Sequence, residues 1–178
     1  MSPSAGKETL MEERLRRASG VMARHGAASR IFKIGGGAGA GNYLMINMYN
    51  SFSEATTSFQ KYSADPELAK LFMERAVNPA GDIMGPDLYR SVYGDPPAKP
   101  ATILINRGYH VQRGKVKDML AMAPELEALF KKVDVSIGVV MPVIAADHEM
   151  IGITYRFTSI DHMGSALDAM VENQDFQN

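Results

Sequence analysis

A single spacing recurs along this chain and constrains its fold more than any other feature. Leu44 and Ile151 lie 107 positions apart, and Ile46 lies the same distance from Ile153. Two pairs of helix-capping residues follow that shift as well: Ser51 with Thr158, and Glu54 with Asp161. A repeat this long is typical of a duplicated domain rather than of a solenoid, with convergent patterning of two unrelated units as the alternative.

Each half of the chain mixes helical and extended hydrophobic patterns. The predicted helices cover 8–25, 51–62, 66–75, 114–133 and 158–171, and the predicted strands cover 29–34, 43–49, 87–93, 101–111, 137–144 and 150–157. Pro124 should kink or restart the helix that contains it. A complete unit would run strand, helix, strand, strand, helix, strand, which is the ferredoxin-like order with an antiparallel sheet. The predicted fold class is therefore α+β, with two tandem ferredoxin-like units.

The proline-rich segment GDPPAKP divides the chain, because prolines are excluded from central strands. It predicts a linker at 95–100 between one unit at 1–94 and another at 101–178. Residues 1–5 are too short and polar for the first strand of the first unit, and the second unit stops before its last strand. Either the chain is part of a longer one, or strands are shared. Unpaired edges then predict a homo-oligomer, or a permuted pairing in which 87–93 completes the second unit.

Three segments together resemble the dimeric α/β-barrel superfamily: the glycine-rich hairpin GGGAGAG, the capped helix ADPELAKLF and the strand GPDLYRSVYG. The resemblance is closest to its NIPSNAP-like and other tandem members, and it covers most of residues 6–178. It implies sheets that form a barrel around a small apolar molecule with a polar handle. Cofactor-free monooxygenase or isomerase chemistry is implied in the same way, although fold analogy alone does not choose a reaction.

Composition excludes several other classes of protein. The chain has no cysteine, so disulfides and thiolate zinc sites are ruled out. A net charge of −1 gives no field that attracts nucleic acid or an anionic membrane. No apolar run reaches the roughly 20 residues of a membrane helix, and the N-terminus lacks the apolar core of a secretory signal. We therefore expect a cytoplasmic protein that binds neither nucleic acid nor membrane.

Polar residues on otherwise apolar strands predict where a ligand binds. Alternation along 43–49 places the even-numbered apolar residues beneath the helices, and Asn47 and Tyr49 on the opposite face. In the second half, Thr154 and Arg156 face away from the helices in the same manner. We expect these four side chains to line the barrel interior, where a buried arginine requires an anionic partner or several acceptors. A ligand carboxylate would satisfy it, and the alternative is an internal network of Arg156, Tyr49 and a carboxylate of the protein.

The strand 101–111 carries two candidate catalytic residues, Arg107 and His110, on opposite faces. Alternation alone does not show which face points into the barrel. His110 is a candidate general base and, in a weaker alternative, a haem ligand. None of the four histidines has the spacing of a metal site, so the sequence predicts neither a metal nor another cofactor.

The glycine-rich run GGGAGAG matches the pattern G-x-G-x-x-A from Gly35 to Ala40. A dinucleotide loop opens a helix, however, whereas a strand is predicted to follow here, so a hairpin loop is favoured. No G-x-S-x-G elbow supports covalent catalysis. Two functions of different classes stay open: a small-molecule site inside the barrel, catalytic or merely binding, and a non-enzymatic structural or interaction module.

Overall fold

The computed structural model describes residues 1–95 and 100–176, and it confirms an α+β fold with antiparallel sheets. The chain divides into two compact units, Met1–Met84 and Gly85–Asn178. Within the described ranges every sheet is open, and none closes into a barrel. The predicted linker at 95–100 falls largely on residues 96–99, which lie outside the described ranges.

The first unit combines a long helix, a hairpin and two shorter helices. Its elements are β1 (Ser2–Pro3), α1 (Glu8–Arg24), β2 (Ala28–Lys33), β3 (Tyr43–Met48), α2 (Phe52–Ser63), α3 (Pro66–Val77) and β4 (Gly81–Asp82). Ser51 and Asp65 cap α2 and α3, because their side-chain oxygens accept hydrogen bonds from free N–H groups of the first turn. Pro66 begins α3, where its missing N–H breaks no helical hydrogen bond.

The first unit contains two two-stranded sheets. β1 pairs antiparallel with β4, and β2 pairs antiparallel with β3. Met1 joins the two pairs, because its amino group donates to the Tyr43 carbonyl over 3.0 Å and its carbonyl accepts from the Tyr43 N–H over 2.9 Å. Gly81 permits the close approach of β4 to β1, since a Cβ there would lie 2.7 Å from the Pro3 Cα. The expectation that residues 1–5 contain no strand was therefore wrong.

The first unit buries its apolar residues on both sides of α1. One cluster contains Met11, Leu15, Tyr43 and Ala80, and the other contains Val21, Leu68 and Leu71. Charged side chains join α1 to α3 at the surface, where Arg17 donates to both carboxylate oxygens of Glu74 at 2.8 and 3.1 Å. Hydrogen bonding from this guanidinium lowers the pKa of Glu74.

The second unit is a four-stranded antiparallel sheet with its helices packed against one face. Its elements are β5 (Leu88–Tyr93), β6 (Ile103–His110), α4 (Val116–Ala121), α5 (Ala123–Lys131), β7 (Ser136–Ile144), β8 (Met150–Phe157) and α6 (Ile160–Glu172), with 3₁₀ turns at Arg113–Lys115 and Gln174–Phe176. The strand order is β5-β7-β8-β6. Pro124 restarts the helix as predicted, because it lies in the first turn of α5.

The helix-facing side of β8 forms the centre of the second core. Ile151, Ile153, Tyr155 and Phe157 are between 1% and 7% exposed. α5 packs Phe130 against them, with its ring centroid 4.7 Å from that of Tyr155. The predicted face of 150–157 is therefore confirmed, because these alternate residues all lie beneath the helices.

β5 belongs to the second unit, whereas 87–93 was predicted to belong to the first. It pairs antiparallel with β7, and the division between the units falls between Met84 and Gly85. Val92 and Tyr93 pack against the second core, which explains why this strand lies there. The closing strand of the first unit is the short β4 instead. The permuted pairing, considered as an alternative, is the arrangement found.

Several elements of the two units begin 108 positions apart, one more than the predicted shift of 107. This shift carries the beginning of α1 at Glu8 onto that of α4 at Val116, and the beginning of β2 at Ala28 onto that of β7 at Ser136. Gly26 and Asp134, which precede those strands, both have positive φ. Because side chains alternate along a strand, an error of one residue exchanges the two faces of every aligned strand.

Two caps support the corrected spacing. The last long helix is capped by Ser159, whose hydroxyl accepts from the His162 N–H over 3.0 Å, and not by Thr158 as predicted. Ser159 is the counterpart of Ser51. Asp65 and Asn173 are likewise 108 positions apart, and each side-chain oxygen accepts from the N–H two residues on over 2.9 Å.

Candidate functional site

In the first unit, the two faces of β3 are the opposite of those predicted. Tyr43 is 4% exposed and packs against α1, and the Asn47 amide donates to the sulfur of Met22 on α1 over 3.0 Å. Leu44 and Met48, which were expected beneath the helices, are 44% and 38% exposed. Asn47 therefore lies between the hairpin and α1, and the prediction that it faces a barrel interior was wrong.

Tyr49 follows β3 and contacts α2 instead of an open sheet face. The hydroxyl of the buried Ser58 donates to the Tyr49 hydroxyl over 3.4 Å. Both residues line a solvent-open depression of about 350 Å³ beside the end of α1. His25 also lines it, and its Nε2 lies 2.9 Å from the Asp65 carboxylate. Hydrogen bonding with His25 is the largest cause that lowers the pKa of Asp65.

In the second unit, Thr154 and Arg156 lie on the sheet face opposite the helices, as predicted. The register of β8 places Asn106 of β6 on one side of Thr154 and Gly138 of β7 on the other. The Thr154 hydroxyl donates to the Asn106 side-chain oxygen over 3.2 Å. We call the group Asn106, Gly138, Gly152, Thr154 and Arg156 the open face.

Arg156 extends across the open face above Gly138. Its Nη1 donates to the Ile137 carbonyl over 2.7 Å and to the Asp95 carbonyl over 3.5 Å. Gly138 leaves room for this path, because a Cβ there would lie 2.9 Å from the guanidinium carbon. Partial burial lowers the pKa of Arg156, yet an arginine stays charged in proteins. No carboxylate of the described residues lies within 4 Å of it, so only backbone dipoles offset its charge.

Glycines make room for apolar side chains on the same face. A Cβ on Gly152 would lie 2.9 Å from Val140, and one on Gly108 would lie 3.0 Å from the Met150 Cγ. Val140 and Met150 therefore occupy the space above these glycines. The open face thus combines one cation and two hydrogen-bonding side chains with flanking apolar groups.

Arg107 lies on the helix-facing side of β6, away from the open face. Its guanidinium carbon is 5.5 Å from the centre of the Tyr155 ring. Burial and a hydrogen bond with Tyr109 raise the pKa of Tyr155 well above its ordinary value. Arg107 therefore stabilises a tyrosine pair and does not reach a ligand beside Arg156.

His110 shares the face of Asn106 but lies at the far end of β6. Its Nε2 is 3.5 Å from the Asp147 carboxylate, and its side chain is 69% exposed. Leu104, which is opposite Arg156, precedes His110 by six residues, or about 20 Å of extended strand. A small ligand bound to Arg156 does not contact His110 as well.

Asn106 and Gly138 complete the open face, although sequence reasoning did not assign either to a site. Both assignments depend on cross-strand register, which the alternation of a single strand does not contain. The available signal was weak: a glycine in a strand often marks the close approach of another group. Here that group is the Arg156 guanidinium.

The glycine-rich run forms the connection between β2 and β3, so the predicted hairpin loop is confirmed. Gly37, Gly39 and Gly41 have positive φ, which glycine adopts without steric cost. Across residues 1–95 and 100–176, no group of three or more histidine or acidic side chains is arranged to hold a metal ion.

The fold and the open face define an α+β protein with antiparallel sheets, whose second unit carries polar groups on the sheet face opposite its helices. No protein-family model matches the chain, and no curated protein matches it significantly. Every helix in the described part of the chain is too short or too polar to span a bilayer.

Proposed function

We propose that the open face of the second unit binds a small molecule that has a carboxylate on an apolar body. The observation that carries this proposal is the half-buried guanidinium of Arg156, which contacts no carboxylate among the described residues. A guanidinium presents its N–H groups in a planar fork that matches a carboxylate. Thr154 and Asn106 lie two positions along the strands, or about 7 Å away, where they can bind a second polar group.

We also propose that both units are ferredoxin-like, and that the chain is a tandem member of the dimeric α/β-barrel superfamily. In the first unit this is supported by the pairs β4-β1 and β3-β2, which the Met1–Tyr43 hydrogen bonds join. In the second unit β8 lies between β6 and β7, which is the corresponding order. The common spacing of 108 positions supports duplication of one ancestral unit.

The geometry supports binding better than a particular reaction. Cofactor-free monooxygenase or isomerase chemistry is implied by the resemblance, but His110, the candidate base, is about 20 Å from Arg156 along the sheet. Haem binding through His110 stays a weaker prediction. Haem titration tests this prediction. If His110 is the ligand, added haem should give a shifted Soret band, and His110→Ala should abolish the shift. The absence of a shift removes the prediction.

Octanoate and octanol separate carboxylate recognition from apolar binding, since they differ only in the head group. We expect calorimetry to detect octanoate binding to the full chain and weaker binding of octanol. Arg156→Gln should weaken octanoate binding by about tenfold or more, because a charge-assisted hydrogen bond is lost. Arg107→Gln is the matched control and should leave the affinity unchanged. Equal affinities for octanoate and octanol, or an unaffected Arg156→Gln variant, would contradict the proposal.

A second function, homo-oligomerisation through a strand edge, is favoured by the outer edge of β6. Among the described residues β6 pairs only with β8, so its other edge offers unpaired backbone groups. Light scattering across protein concentration tests this function. A mass that stays monomeric at all concentrations removes this function, and a dimer that Asn106→Pro dissociates supports it.

A further inference from the structure

A groove runs between α1 and the outer edge of β2 in the first unit. It has a volume of about 470 Å³ and is open to solvent. Arg16, Ser19 and Gly20 of α1 line one side, and Arg30 and Lys33 of β2 line the other. Within the part of the chain that the structure describes, β2 pairs only with β3, so its outer edge has unpaired backbone groups.

The second unit shows that a strand fits such a groove. β7 is the counterpart of β2 at the spacing of 108, and its outer edge is paired with β5. Glu127 of α5 stands where α1 has Ser19, and it accepts a hydrogen bond from Tyr93 of β5 over 2.8 Å. The distance between helix and sheet edge in this kind of unit therefore admits an added strand.

Gly20 leaves the α1 side of the groove open. It lies inside α1, where glycine is less favourable than alanine, and position 128, which is 108 residues further on, is an alanine. Among the described residues no atom would lie within 4 Å of a Cβ at Gly20. The glycine therefore leaves space beside α1 that a partner backbone can enter.

The charge of the rim indicates what kind of strand enters. Glu12 also lines the groove and is paired with Arg16 over 2.6 Å, which leaves Arg30 and Lys33 as the two cations with no carboxylate in residues 1–95 and 100–176 within 4 Å. A second copy of β2 would add the same cations to the groove, and like charges on adjacent strands are unfavourable. Arg30 and Lys33 are three positions apart and lie on opposite faces of β2, so an extended segment with carboxylates three positions apart would complement the rim.

We propose that this groove binds an extended acidic segment of another protein, which adds a strand to the edge of β2. Backbone hydrogen bonds to β2 supply affinity, and the contacts of acidic side chains with Arg30 and Lys33 supply specificity. The interaction is independent of the carboxylate site on the second unit.

A labelled peptide of paired glutamates and valines (EEVVEEVV), which carries acids three positions apart on opposite faces, tests the proposal by fluorescence anisotropy with the full chain. We expect it to bind, and the matched peptide KKVVKKVV to bind at least about tenfold more weakly. Gly20→Leu should abolish binding by filling the groove, without loss of fold, because its side chain enters open space. Gly164→Leu in α6 is the matched control, since a Cβ there also meets no atom within 4 Å.

Three outcomes would overturn the proposal. Equal binding of the two peptides would show that charge does not select the partner. Unchanged binding by Gly20→Leu, or by Arg30→Glu combined with Lys33→Glu, would show that the peptide binds elsewhere. Self-association of the chain that Gly20→Leu abolishes would assign the groove to a second copy instead. Circular dichroism verifies the fold of each variant. If Gly20→Leu loses helix, peptide binding by the Arg30→Glu and Lys33→Glu double variant tests the proposal instead.

Discussion

The two units share a pattern of elements but add their fourth strand at opposite edges. In the first unit β4 pairs with β1, whereas in the second β5 pairs with β7, the counterpart of β2. The outer edges of β2 and β6 are consequently left without a partner strand among the described residues. The two units thus both pack helices against one sheet face, while their edges, which determine possible partner strands, differ.

The helix-free faces of the two sheets differ as well. In the hairpin of the first unit this face carries Phe32, Leu44, Ile46 and Met48, with Arg30 among them. Arg30 is the counterpart of Gly138, and Met48 is the counterpart of Arg156, so each unit places one arginine there from a different strand. Only the second unit pairs its arginine with a glycine and a threonine. That difference is why we assign the carboxylate site to the second unit.

The largest predicted difference between the units is in their cores. Phe157 is 1% exposed, and Phe157→Ala should lower the free energy of unfolding by about 3–5 kcal/mol, because it leaves a cavity. Its counterpart Tyr49 is only partly buried, so Tyr49→Ala should cost about 1–2 kcal/mol. Urea denaturation measures both. Equal losses would mean that the two cores are packed alike, against the burial described here.

Gly138→Ala should have the next largest effect, because the added methyl group collides with the Arg156 guanidinium. We expect a loss of about 1 kcal/mol in stability, because the guanidinium ends a flexible side chain and can move aside, together with weaker octanoate binding. Gly164→Ala, at an open helix position, is the control and should be neutral or slightly stabilising. Undiminished octanoate binding by Gly138→Ala would show that the path of Arg156 over this glycine does not matter for the site.

The sequence predicted the helices and the second sheet well, because 150–157 alternates strongly and the caps are local signals. It failed for β3, because YLMINMY is apolar on both faces and its buried side depends on contacts with α1. In the sequence a shift of 107 aligns apolar residues as well as 108 does, and the two are distinguished by where the elements begin and by the hydrogen-bonded caps of the structure. The partner of β5 was not predictable from its own residues, since strand pairing is determined by distant segments.

The N-terminal caps of α2 and α6 provide a smaller predicted effect on stability. Ser51→Ala and Ser159→Ala should each lower stability by about 1 kcal/mol, because each removes the acceptor of a free N–H in the first turn. Thr158→Ala should cost clearly less, since its hydroxyl contacts only the His162 side chain. Thermal denaturation compares the three variants. A larger loss for Thr158→Ala than for Ser159→Ala would restore the spacing of 107.

The smallest predicted effect is a difference in acid sensitivity between Asp65 and its counterpart Asn173. Hydrogen bonding with His25 lowers the pKa of Asp65, so the carboxylate stabilises the folded state above its unfolded pKa of about 4 and loses this contribution as pH falls further. Asp65→Asn should therefore flatten the decline in stability below about pH 4, measured by urea denaturation at several pH values. An aspartate introduced by Asn173→Asp should steepen the decline less than the native Asp65 does, because Val133 occupies the position equivalent to His25 and offers no hydrogen bond from a side chain. Parallel profiles for Asp65→Asn and the unmodified chain would show that the His25 contact does not contribute to stability, and that the two caps are equivalent despite their different chemistry.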